Sequence, residues 1–244
     1  MAKGVDATGT TTEVMNHPTV VLLPGLDGTG ELFGPLLGVI PEGWPRQVVV
    51  YPVDRVLSYS ELGRVLEEQL PAEGEVVLVA ESFSGPVAVR YAAAHPGRVR
   101  AVVLCASFVR RPVGRWARWV VWPVWFRVRM PKVFVRWLMV GWDAQDSLVQ
   151  RVRDVVGSVA PEVLAARVRE VLEVDCRDDL RRCAAPMLYL AASRDAIVGR
   201  WCVEVIREVR PDVEVRVVEG PHLVLQRAPE VAWREIVEFL ERGR

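Results

Sequence analysis

Glu75-Val76-Val77-Leu78-Val79-Ala80-Glu81-Ser82-Phe83-Ser84-Gly85 decides how this chain is read. From Glu75 to Ala80 it runs at strand length, apolar and β-branched after the first residue, the signature of a strand buried on both faces of a parallel sheet. A serine on a sharp turn follows, and a helical stretch opens at Gly85. A side chain held on such a strained strand-to-helix turn needs small residues two before and two after it, because the backbone crowds neighbouring Cβ atoms. Ala80 and Ser84 meet that demand around Ser82, whereas centring the turn on Ser84 would put Pro86 at the second small position. The helix N-terminus beyond would also favour negative charge developing near Ser82.

Similar apolar runs recur at Thr19 to Leu23, Gln47 to Tyr51, Val99 to Cys105, Met187 to Ala191 and Val213 to Val218. Helical patterns lie between them. Ser58 and Glu61 are spaced as a capping box, and Leu62, Val65, Leu66, Gln69 and Leu70 follow at helical spacing until Pro71. Gly85 to His95 and Pro229 to Leu240 read likewise. This alternation predicts an α/β fold, a mostly parallel sheet with helices on both faces through right-handed crossovers. The predicted organisation is a loose leader over 1–16, a core over 17–107 and 176–244, and a helical cap insertion over 108–175. Within that insertion Trp116, Trp119, Trp122 and Trp125 recur every third residue until Pro123 interrupts the helix. They form either the core of the cap or a surface that binds a ligand.

The composition narrows the function classes. The 244 residues are 51% apolar and 25% charged, as expected of a globular chain with a sizeable core. Thirty-one basic residues balance thirty-one acidic ones, so no global field favours nucleic acid. No run reaches the roughly 18 apolar residues of a transmembrane segment, and the N-terminus lacks a signal-peptide core, which reads as a cytoplasmic protein. Cys105, Cys176, Cys183 and Cys202 form no C-x-x-C pair and have no histidine at zinc-ligand spacing, so they read as buried thiols, with no metal or cofactor implied.

A nucleophilic serine needs a base, and the chain has three histidines. His95 lies at the far end of the helix beginning beside Ser82, about 15 Å away along its axis. His17 precedes the first strand, on the opposite edge of a parallel sheet. His222, in Glu219-Gly220-Pro221-His222, follows the last strand on the edge where Ser82 sits, and is the base candidate. The orienting acid should also follow a strand, where the loops of an open α/β sheet gather. Asp195 does so, and no Asp or Glu occurs between Glu81 and Asp143 to compete from the preceding strand end. Glu81 itself either tunes the serine or is a solvated or locally paired charge.

These residues resemble the α/β-hydrolase family. Ser82, Asp195 and His222 stand in that family's chain order, and Leu23-Pro24-Gly25-Leu26-Asp27-Gly28 looks like its oxyanion-loop signature, over a likeness running from Thr19 to Leu240. Pro24 stands where many members carry histidine, and Ala80 and Ser84 replace the glycines of G-x-S-x-G. The resemblance implies that the backbone N–H groups of Leu26 and Phe83 bind the oxyanion. It also implies acyl transfer on a carboxylic ester with a hydrophobic acyl group, under an apolar, aromatic-rich cap. A thioester or acyl-carrier-protein ester is the alternative substrate, and a silent binding protein on the same fold the alternative class. Arg90, Arg98, Arg100, Arg110, Arg111, Arg115, Arg118, Arg127, Arg129, Lys132 and Arg136 lie between Ser82 and Trp142 with no acid among them. Either they pair with acids elsewhere, such as Asp143, Asp146 or Glu162, or several attract an anionic partner, an acyl carrier protein or a lipid head group.

Overall fold

The computed structural model describes residues 17–112 and 126–242. Six parallel strands form one sheet: β1 (Thr19–Leu23), β2 (Arg46–Val48), β3 (Val76–Glu81), β4 (Val99–Cys105), β5 (Met187–Ala192) and β6 (Glu214–Val218), in the order β2-β1-β3-β4-β5-β6. The strands sort their side chains by the period of two that a pleated strand imposes. Val21, Leu23, Leu78, Ala80, Val102, Leu104 and Tyr189 face one core with helix α2 (Tyr59–Gln69) and helix α3 (Gly85–Ala94). Val20, Leu22, Val77, Val79, Val103, Leu188 and Leu190 face the other, with Leu36 of helix α1 (Gly34–Val39) and with Trp233 and Ile236 of the C-terminal helix Pro229–Arg242. A sheet covered on both faces explains why these strands are continuously apolar.

The predicted α/β layering holds, and element ends move by a residue or two, except at the second strand. Expected over Gln47 to Tyr51, it ends at Val48. Beyond it the Val50 N–H turns to Gln69 Oε1 at 2.9 Å, the Tyr51 N–H turns to the Gly28 carbonyl at 2.7 Å, and Pro52 has no N–H to continue a ladder. The capping box on α2 forms as read: the Glu61 N–H donates to Ser58 Oγ at 3.3 Å, and the Ser58 N–H donates to Glu61 Oε2 at 2.8 Å. Such a cap contributes about 1 kcal/mol.

Between β4 and β5 the described elements are helices, the longest being Asp146–Gly157 and Pro161–Glu173. The two ends of this segment meet where the chain leaves and rejoins the sheet. Arg110 and Asp175 form an antiparallel bridge, the Arg111 N–H donates to the Val174 carbonyl at 3.0 Å, and the Cys176 N–H donates to the Val109 carbonyl at 2.8 Å. The periodic residues Trp116, Trp119, Trp122 and Trp125, together with Arg115 and Arg118, lie outside the described residues. Five of the other cations in the basic run meet acids: Arg90 with Asp179, Arg100 with Glu75, Arg127 with Glu162, Arg129 with Asp154 and Arg136 with Asp146. Asp143 instead pairs with Arg227.

Candidate active site

The strand order places the site. Chain entering from β1 turns to β2 on one side, and chain leaving β2 crosses over to β3 on the other, so the carboxyl ends of β1 and β3 flank the switch point where an open α/β sheet forms a crevice. Ser82 follows β3 there and Leu26 follows β1. Ser82 has a φ of +47°, left-handed backbone that costs a non-glycine residue about 1–3 kcal/mol and persists only where its surroundings impose it. Those surroundings are visible. Ser107 Oγ donates to the Ser82 carbonyl at 2.5 Å, and Gly85 lets the loop after β4 approach so closely that a Cβ there would collide with Ser107 Oγ. Ala80 and Ser84 are both fully buried, in keeping with the demand for small residues on either side.

His222 Nε2 lies 2.9 Å from Ser82 Oγ, and His222 Nδ1 lies 2.9 and 3.0 Å from the two carboxylate oxygens of Asp195. Asp195 is held in turn: its Oδ1 accepts the N–H groups of Ile197 and Val198, each at 2.8 Å. The ring and the carboxylate are almost wholly buried, which strengthens the attraction between a carboxylate and an imidazolium. The other two histidines are elsewhere. His17 stacks on Trp44 at 3.9 Å, and His95 stacks on Tyr91 at 4.1 Å at the end of α3.

Ser82, Phe83, His222, Gly25 and Leu26 open into a cavity of about 280 Å³. Its other described walls are Asp27, Leu32, Phe108, Pro112, Phe126, Met130, Leu138, Met139, Val156, Leu164, Val168, Val171, Leu172, Ile197 and Leu223. Among the described residues these walls are mostly aliphatic, and the tryptophans expected in the cover lie outside them. Phe83 is the second residue of the short turn Ser82–Ser84 that runs into α3, so its N–H belongs to the donors a helix start leaves without an intrahelical acceptor.

Sequence reading missed the residues that hold this frame. Ser84 is more than small: its Oγ donates to the Pro24 carbonyl and lies 2.9 Å from the Tyr51 hydroxyl. Tyr59 Oη donates to the Phe83 carbonyl at 3.1 Å. Glu81 is not solvated, and no ion pair to it occurs among the described residues. It is buried, accepts from Gln226 Nε2 at 3.3 Å, and its Oε1 finds no hydrogen-bond partner among the described residues. Burial first, and the neighbouring Asp27 charge second, push its pKa up to about 8, against a smaller pull from the Gln226 hydrogen bond. Arg167 is buried beneath the loop after β1. A signal for it existed, because Val163, Leu164, Val168, Val171 and Leu172 form the apolar stripe of their helix and Arg167 falls inside that stripe.

A model of the alpha/beta hydrolase family matches residues 20–235. The chain belongs to the alpha/beta hydrolase family. This alpha/beta hydrolase is 25% identical to the biotin biosynthesis bifunctional protein BioHC of Cellvibrio japonicus (strain Ueda107), over 93% of the chain and 48% of that protein. The chain therefore spans about half the length of that curated relative. Among solved structures it resembles the enol-lactonase from Burkholderia xenovorans LB400, with a TM-score of 0.79, 16% identity and 94% of each chain covered. It also resembles a lipase-esterase related protein from Clostridium acetobutylicum ATCC 824, with a TM-score of 0.75, 15% identity, and 93% of this chain and 96% of that one covered. At these identities the two structures speak to the fold. Among the described residues no helix is long and apolar enough to cross a membrane.

Proposed function

We propose that this alpha/beta hydrolase is a serine esterase that cleaves a carboxylic ester with a hydrophobic acyl group through an acyl-enzyme. The observation that carries this reading is the continuous chain of hydrogen-bonding atoms from Ser82 Oγ through His222 to Asp195, at the floor of an apolar cavity. On this reading Ser82 Oγ attacks the ester carbonyl while His222 Nε2 takes its proton, and Asp195 keeps the other ring nitrogen protonated and stabilises the imidazolium. The carbonyl oxygen becomes an oxyanion received by the backbone N–H groups of Leu26 and Phe83, where each donor contributes about 3 kcal/mol to the transition state. His222 then gives its proton to the departing alcohol, and water attacks the acyl-enzyme by the same route in reverse. The aliphatic walls suit an acyl chain better than a sugar or a peptide, whose polar groups would lose their hydrogen bonds to water there.

A thioester or an acyl-carrier-protein ester would pass through the same steps. Arg90, Arg100, Arg127, Arg129 and Arg136 pair with acids, which favours the structural reading of the basic run for these five over the recruitment of a carrier. A silent binding protein would leave Ser82 inert, so labelling with a fluorophosphonate separates enzyme from binder. The test of substrate class is a panel of p-nitrophenyl esters of increasing chain length. Turnover that rises beyond acetate supports a hydrophobic acyl site, and a chain with neither labelling nor turnover would overturn the reading.

A further inference from the structure

Five successive carbonyls in the loop after β1 are each held by a partner. Pro24 O accepts from Ser84 Oγ, Gly25 O from the Gly28 N–H at 3.1 Å, Leu26 O and Asp27 O from Arg167 Nη1 at 2.8 and 2.7 Å, and Gly28 O from the Tyr51 N–H at 2.7 Å. In a trans peptide the N–H points opposite to the carbonyl of the same plane, so fixing these carbonyls fixes the directions of the N–H groups between them. The Leu26 N–H shares its plane with the Gly25 carbonyl, which the Gly28 N–H holds, and the Gly28 N–H shares its plane with the Asp27 carbonyl, which Arg167 holds; Gly25 and Leu26 line the cavity beside Ser82.

Arg167 does this from another part of the fold. It sits on the helix Pro161–Glu173, which follows β4 by more than fifty residues, and the residue is 2% exposed. Its second nitrogen, Nη2, donates to the Pro52 carbonyl at 2.9 Å, so a single guanidinium bridges three carbonyls on two loops. Its carbon centre lies 5.9 Å from the Tyr51 ring and 6.0 Å from the Phe83 ring, close enough for the aromatic faces to attract the charge. The loop is shaped around it. Gly28 has a φ of +74°, and a Cβ there would come within 2.5 Å of Nη1 and 2.8 Å of Nη2. A planar fork with five fixed donors can hold two adjacent carbonyls and a third beyond; a lysine ammonium is a single point with a different reach.

We propose that Arg167 is a positioning residue for oxyanion binding, holding the Leu26–Asp27 and Asp27–Gly28 peptide planes from the helical segment so that the Gly28 N–H stays on the Gly25 carbonyl and the Leu26 N–H, in that carbonyl's plane, stays aimed at the reacting carbonyl oxygen. This rests on the serine-esterase reading above. Arg167 touches no substrate in this role. Its removal loosens a donor that matters most when the oxyanion forms, so the loss falls on kcat rather than on KM. Removing an oxyanion donor outright costs about 10²–10³-fold in kcat, which bounds the effect of misaiming one.

The experiment compares wild type, Arg167→Met and Arg167→Lys on one p-nitrophenyl ester, with folding followed by thermal melting and with a boronic acid as the tetrahedral-adduct probe. Wild-type turnover is read first, and its absence would sink the esterase reading separately from this one. The expected result is a fall in kcat of about 10- to 100-fold in folded Arg167→Met, with KM changed less than about threefold. Boronic acid affinity should weaken in step with kcat/KM, and Arg167→Lys should recover only part of the loss. A folded Arg167→Met with wild-type kcat would overturn the proposal, as would a rise in KM alone or unchanged boronic acid affinity. If neither variant folds, Arg167 serves the fold and the positioning role falls.

Discussion

Ser82 Oγ and His222 Nε2 stand 2.9 Å apart across 140 residues of sequence. Neither group could find the other by local structure. β3 delivers the serine and β6 leads to the histidine, and in an all-parallel sheet both strands end on the same edge. The backbone at Ser82 is strained and tied down by Ser107, so the hydroxyl is presented to the ring rather than left to rotate with a mobile loop.

Ser82→Ala and His222→Ala should each abolish nearly all ester hydrolysis, and the double variant should be little worse than either alone, because the two act as one unit. Initial rates on a p-nitrophenyl ester measure this. Retention of more than about a tenth of the activity by Ser82→Ala would show that another group is the nucleophile, since such losses are normally several orders of magnitude.

Asp195→Asn should leave the fold intact and slow turnover by several orders of magnitude, because an amide no longer enforces the imidazole tautomer. Asp178 is the control: it lies on the surface and pairs with Arg181 at 2.6 Å, far from His222 in its contacts. Asp178→Asn should change kcat less than about twofold, in line with the small worth of exposed ion pairs. Similar losses in both variants would leave the acid unassigned.

Glu81 should make folding stability depend on pH. Its folded pKa is pushed up to about 8 from 4.5, so below the unfolded value both states hold the proton and its contribution is intact. As pH rises toward 8 the unfolded chain releases the proton and the folded chain keeps it, and stability declines by an amount of order a few kcal/mol. Above about 8 the folded group ionises too and the decline levels off. Chemical denaturation of wild type and Glu81→Gln at pH 5 and pH 8 tests this: the variant, neutral at both, should gain on wild type at the higher pH. Parallel pH dependence of the two proteins would refute it.

Two glycines should respond in opposite directions to alanine. Gly63 lies inside α2 with nothing within 4 Å of an added Cβ, so Gly63→Ala should stabilise by about 0.5–1 kcal/mol through helix propensity and unfolded-state entropy. At Gly85 a Cβ would collide with Ser107 Oγ and come 3.2 Å from the Phe108 carbonyl oxygen, so Gly85→Ala should destabilise by about 1–3 kcal/mol. Urea midpoints at constant m-value provide the measurement. A stabilising Gly85→Ala would mean that the turn has room that its contacts deny.

The parallel sheet, the capping box on Ser58 and Glu61, and the turn at Ser82 were legible in the sequence because each rests on a short-range rule: strand alternation, helix-cap spacing, and small residues around a strained turn. The chain order Ser82, Asp195, His222 was legible because strand ends share an edge. Burial and partnership were not legible, because they depend on what arrives from distant sequence. Glu81 looks like a surface charge until Gln226 and Asp27 close over it, Ser84 looks merely small until Pro24 and Tyr51 come within reach, and Arg167 looks like a stray charge on an apolar stripe until three carbonyls converge on it. The strand pattern thus determined that a serine, a histidine and an acid would gather at one edge of a parallel sheet. Only tertiary packing decided which other polar groups lose water and must find their partners inside.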